Sequence, residues 1–173
     1  MIPLWEWLKQ VVTPKEVKPP PSFGGAGATE EWEPTPGARV PLGLRQRNPG
    51  HVRPLTTGEW RAQTGVANGF SIFDNYGNGI RAMALNLRTY YRKHGLNTLT
   101  GIISRYAPSS ENDVGAYVRA VAQRSGLSEL GALNLEDEDV MVRLVTAMIH
   151  HEQGVQPFGD EFVRAHVRRG LAA

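Results

Sequence analysis

Glu152 stands where a carboxylate can do chemistry. Upstream, Val140, Met141, Leu144, Val145, Met148 and Ile149 recur at spacings of three and four, which buries one face of a helix. Four residues past Met148 the pattern asks for another hydrophobe and receives Glu152, with Gly154 as the helix stop. Burial disfavours the charged form of an acid, so a glutamate at the dry lip of a core is expected to have a raised pKa. A raised carboxyl suits a general acid working near neutral pH. The plainer alternative is a last-turn glutamate whose stem packs while its head reaches water. His150 and His151 precede it, yet His-Glu-x-x-His fails because Val155 holds the final position. Adjacent histidines also point to different sides of a helix, so no metal is expected there.

A helical frame is expected to carry this residue. The spacing predicts a helix over 79–93, with Ile80, Met83, Ala84 and Leu87 inward and Gly95 as its stop. Thr98 caps a short helix that ends before Pro108, and Asp113 caps another whose buried face is Val114, Tyr117, Val118, Val121 and Ala122. The helix of Glu152 starts near Asp137, and a last one runs over 161–169. Between 54 and 73, the turn signals Thr57-Gly58 and Asn68-Gly69 predict short strands with a hairpin. The fold class is therefore mainly α (α+β), with one small β-hairpin lobe.

The first 43 residues read differently. Leu4, Trp7, Leu8, Val11 and Val12 share one face of a short helix over 1–12. So short a helix is marginal alone and docks either on its own domain, on a partner protein or on a membrane surface. From 13 to 43, seven prolines from Pro14 to Pro41 alternate with Gly24, Gly25, Gly27 and Gly37, which predicts an extended tether. The globular domain then covers 44–173. The arm is expected to become ordered only on assembly.

Composition limits the classes. The chain has 173 residues, no cysteine and a net charge of +2. Disulfides, a thiol nucleophile and cysteine-held metals are excluded. No apolar run approaches the roughly 20 residues needed to cross a bilayer, and the N-terminus lacks the form of a signal peptide. Arg39, Arg45, Arg47, Arg53 and the C-terminal arginines lack interleaved aromatics, so a solvated face is expected rather than specific nucleic-acid binding. The same arginines could hold an anionic cell wall or an acidic partner surface. No cofactor is expected.

Several strings together resemble a family. Asn48-Pro49-Gly50-His51-Val52-Arg53 resembles the string that opens the β lobe of bacterial glucosaminidases. Phe70-Ser71-Ile72-Phe73-Asp74 resembles their following strand, and Tyr106-Ala107-Pro108 with Tyr117-Val118 a later pattern. Glu152-Gln153-Gly154-Val155-Gln156-Pro157 resembles the Glu-Ser-Gly-x-Asn-Pro string of lytic transglycosylases, with Gln153 in place of serine. All belong to the lysozyme-like superfamily. The stretch from 45 to about 160 is also similar to virion-associated structural lysins of tailed phages. In the glucosaminidases and transglycosylases the glutamate helix comes first; here it comes last, which implies a circularly permuted lysozyme-like domain.

The resemblance implies cleavage of the glycan strand of peptidoglycan, with Glu152 as general acid and base. A glycosidase needs a second carboxylate, for which Glu59 and Asp74 are candidates. A lytic transglycosylase needs none, because a hydroxyl of the substrate attacks, and it is slightly favoured. Tyr106, Asn48, Gln153 and Glu59 are the expected substrate-binding residues, although Tyr106 also suits a core and Asn48 a cap. The implied setting is a phage particle, bound through the arm to virion or tail proteins and acting in the host periplasm or cell wall as the genome enters. The alternative is a non-catalytic structural component of the virion, a tail plug or adaptor.

Overall fold

The computed structural model describes residue 32, residues 36–107 and residues 113–173. The expected helix over 1–12 and most of the tether over 13–43 lie outside the described residues. Within them the chain forms α1 (Leu42–Arg45), β1 (Gln63–Ala67), β2 (Phe70–Phe73), α2 (Tyr76–His94), α3 (Leu99–Tyr106), α4 (Val114–Ser125), α5 (Glu138–Gln153) and α6 (Asp160–Leu171). The domain is thus mainly helical with one two-stranded antiparallel sheet. None of the described helices is long and apolar enough to cross a membrane.

Local chemistry sets the boundaries. The first amides of a helix lack partners inside it, and a short polar side chain before it supplies one. Asn75 accepts from the amide of Asn78, Thr98 from Gly101, Asp113 from Ala116, and Asp137 from Asp139 and Val140. Gly95, Gly126 and Gly154 end α2, α4 and α5 at φ +65°, +68° and +72°. Helix α2 begins at Tyr76, three residues before the expected start, because Asn75 caps it despite the glycines that follow. Those glycines admit close neighbours. A Cβ on Gly77 would lie 2.2 Å from the His166 ring, and one on Gly79 would lie 2.2 Å from the Arg47 carbonyl oxygen.

The hairpin is narrower than the stretch that suggested it. Only 63–73 is β structure; 54–62 contains no strand. The turn works because Asn68 and Gly69 both take positive φ, +55° and +81°, which matches the twist of a two-residue hairpin. Gln63 faces Phe73 and Ala67 faces Phe70, with a bulge between Gln63 and Gly65.

Helix α2 packs on α6, α6 on α5, α5 on α4, and α4 on α3. Ile80, Met83, Leu87, Leu99, Ile102, Ile103, Met141, Leu144, Val145, Met148 and Ile149 are fully buried between them. Val114, Ala122 and Val140 sit at the edge of this core, half-buried. Trp32, from the stretch expected to be tether, lies edge-on to Tyr76 at 6.2 Å.

Ion pairs latch α6 to the first turn of α5. Arg168 meets Glu138 at 2.8 Å, and Arg164 reaches Glu138 and Asp139. The bonds from Arg168 and Arg164 hold the Glu138 carboxyl at about 2, against the opposing effect of desolvation. A depressed carboxylate stabilises above its unfolded value near 4.5 and loses that contribution as the pH falls toward 2. The pair is partly exposed, so Glu138→Gln is expected to cost only about 1 kcal/mol at pH 7. In chemical denaturation the deficit should shrink between pH 4.5 and pH 2.5, where the carboxyl approaches its folded value; a deficit at pH 2.5 as large as at pH 7 would contradict the latch.

Candidate active site

Glu152 occupies the last turn of α5, and only 6% of its surface is exposed. Its Oε2 lies 2.8 Å from Nδ1 of His51, and its Oε1 accepts the hydroxyl of Tyr117 at 2.7 Å. Both carboxyl oxygens are therefore engaged inside the protein. Burial pushes the carboxyl up, but the bond from His51 and its charge, then Tyr117, outweigh it, so Glu152 is held below the usual carboxylate range. This corrects the expectation of a raised carboxyl. The stripe in the sequence revealed the burial and could not reveal a partner 101 residues away.

His51 reaches Glu152 through an unusual backbone. Its φ is +51°, a left-handed conformation that few residues other than glycine adopt. The loop around it is pinned on every side. Asn48, wholly buried, donates from Nδ2 to the carbonyls of Val52 and Ser71 and accepts from the Val52 amide. Gln153 donates to the Pro49 carbonyl at 2.7 Å. Tyr106 donates to the Gly50 carbonyl. A Cβ at Gly50 would lie 2.4 Å from the Met83 sulfur and 2.8 Å from the Tyr106 hydroxyl.

Aromatic groups close the surroundings. The His51 ring lies 4.9 Å from that of Phe70, and His151 stacks on Tyr117 at 3.7 Å. Burial first, then the charge of Glu152, pushes the Tyr117 and Tyr106 hydroxyls well above their ordinary value. Both are therefore O–H donors at neutral pH. Burial also lowers the His151 imidazole. Two buried polar atoms without a partner among the described residues belong to this cluster, Nε2 of His51 and Oε1 of Gln153.

The expected residues fall into two groups. Glu152, Gln153, Asn48 and Tyr106 come together around residues 48–52. Asn48 acts as the internal brace of the loop, the cap alternative. Glu59 does not join them: it is exposed and has no bond to this cluster among the described residues. Asp74 accepts from Asn78 at 2.8 Å, beside the start of α2, and likewise does not reach Glu152. The C-terminal arginines are engaged internally, since Arg169 also meets His166 and Asn78. Sequence reasoning missed His51, which has no periodic signature. It placed Tyr117 on a buried face, where its body does pack while its hydroxyl serves Glu152.

No family model matches the chain. Over 120 residues it is 35% identical to protein P5 of Pseudoalteromonas phage PM2, across 67% of this chain and 73% of that protein. The chain belongs to the P5 family. That membership gives it a phage relative, in agreement with the phage setting implied by the sequence strings.

Proposed function

We propose that the chain is a component of a phage particle, attached to neighbouring virion proteins through its N-terminal segment. Kinship with a phage protein supports the phage setting of this reading. A structural component is the simpler reading, because the kinship supplies a phage setting and no reaction.

A second reading adds catalysis to that role, and a specific observation favours it: a left-handed histidine meets a buried glutamate. A buried ion pair is a poor device for stability alone, since hydrophobic side chains of similar volume often do as well or better. Backbone strain of this kind concentrates at functional sites. The unpartnered Nε2 of His51 and Oε1 of Gln153 also suit a hydroxyl-rich ligand. On this reading the domain is lysozyme-like, and the order of hairpin before glutamate helix reflects circular permutation. Glu152 protonates the glycosidic oxygen of a peptidoglycan strand. The resulting carboxylate takes the proton of the substrate hydroxyl that attacks the anomeric carbon, which gives an anhydro sugar without a second acid.

Digestion of purified peptidoglycan by the full chain, with products resolved by mass, separates the two readings. Anhydro-muropeptides from the wild type, lost by roughly 10³-fold in a folded Glu152→Gln variant, support the transglycosylase. Reducing ends would point to a glycosidase. No product from the folded wild type leaves the structural component alone.

A further inference from the structure

The contact between His51 and Glu152 does more than neutralise a buried charge. The loop that carries His51 is fixed at Asn48, Pro49, Gly50 and Val52 by four different partners, and Ser71 donates its amide to the Val52 carbonyl. Every neighbour of His51 is thus stapled, and the left-handed residue itself aims Nδ1 at one carboxyl oxygen. The other oxygen is held by a hydroxyl from a different helix.

We propose that His51 is a positioning residue for Glu152, and that the two side chains hold one proton in common between Nδ1 and Oε2. The inference rests on the catalytic reading of Glu152. Ion pair and neutral pair differ only by a proton shift along a 2.8 Å hydrogen bond. Desolvation favours the neutral pair, so a glycan that covers the site drives the proton from Nδ1 onto Oε2. Glu152 then passes it to the glycosidic oxygen, recovers a proton from the attacking hydroxyl and returns it to His51. The proton count closes over one turnover.

The other groups facing the pair do not compete for this proton. They are Tyr106 from α3, Tyr117 from α4, and His151 from α5, with Arg53 beside Phe70 on the loop side. The two tyrosines are held neutral, and burial disfavours charge on His151. His150 and Arg124 add positive charge near His151 and disfavour it further.

The test uses the full chain and His51→Asn. Asparagine tolerates a left-handed backbone and can still donate to Glu152, but carries no titrating proton. The first readout is nuclear magnetic resonance of the Glu152 carboxyl carbon and the His51 ring nitrogens across pH. A shared proton makes both nuclei report the same two midpoints, as coupled groups do; one separate midpoint for each overturns the proposal. The second readout is the pH profile of peptidoglycan cleavage. In His51→Asn the alkaline limb should move down by at least one pH unit, with about tenfold loss at pH 7 and recovery toward pH 5. A uniform loss at every pH would mean that His51 is only structural. A wild type without products at any pH, but with shared midpoints, sinks the catalytic reading and leaves the shared proton. Full activity with separate midpoints does the reverse.

Discussion

Glu152→Ala should lower the stability of the domain by about 3–5 kcal/mol at pH 7, the usual cost of leaving a buried charge partner alone. The residue joins three parts of the fold: the loop through His51, α4 through Tyr117, and α5 itself. Its loss leaves a histidine at φ +51° and a buried tyrosine hydroxyl without their acceptor. The sign of the pH effect follows from the direction of the shift. The folded carboxyl is depressed, so its contribution is present above the ordinary value near 4.5 and fades as the pH falls through the folded value. Denaturant titrations should therefore show the gap between wild type and variant narrowing below pH 4.5. A constant gap from pH 7 to pH 3 would mean that packing, not the carboxylate, carries the effect. Glu152→Gln keeps the shape and some of the hydrogen bonds, so a milder loss of about 1–3 kcal/mol is expected.

Gly79→Ala tests how the loop is held. Alanine in a helix is worth about 1 kcal/mol more than glycine, so by local propensity the change should stabilise α2. The added Cβ, however, would come within 2.2 Å of the Arg47 carbonyl oxygen. That atom belongs to the backbone of a residue itself at φ +52°, so no side chain can swing aside. Overpacking of this kind costs about 1–3 kcal/mol and displaces whatever yields. The net expectation is a loss of about 1 kcal/mol, or roughly 3 °C in melting temperature. The 45–53 loop should move with it and weaken the grip of His51 on Glu152. A variant that melts at or above the wild-type temperature would show that the close approach is relaxed at no cost.

Much of this frame could be read in the chain itself. Caps at Thr98, Asp113 and Asp137 and stops at Gly95, Gly126 and Gly154 mark helix ends through local chemistry, which a sequence displays directly. The interrupted stripe in α5 likewise exposed Glu152 as a buried acid. The start of α2 was less legible, because Gly77 and Gly79 look like breakers until His166 and Arg47 are seen against them. The state of the acid was hidden for a similar reason. Burial is a property of one helix face, whereas the partner that reverses its effect arrives from a loop whose position depends on the whole fold. His51 sits in an Asn-Pro-Gly-His turn, and only that turn chemistry hinted that its backbone was special.

The distance along the chain between Pro49 and Gln153, and between His51 and Glu152, also orders events in time. The hairpin and the helix pairs consecutive in the chain close over shorter loops, while these contacts span 104 and 101 residues. Contacts of such range form late, after the entropy of the intervening chain has been given up. During synthesis the loop 48–53 emerges long before α5 exists to receive it. A nascent or truncated chain that ends before Glu152 can hold folded helices and still lack the site altogether, so whatever this cluster does begins only when translation of α5 is complete.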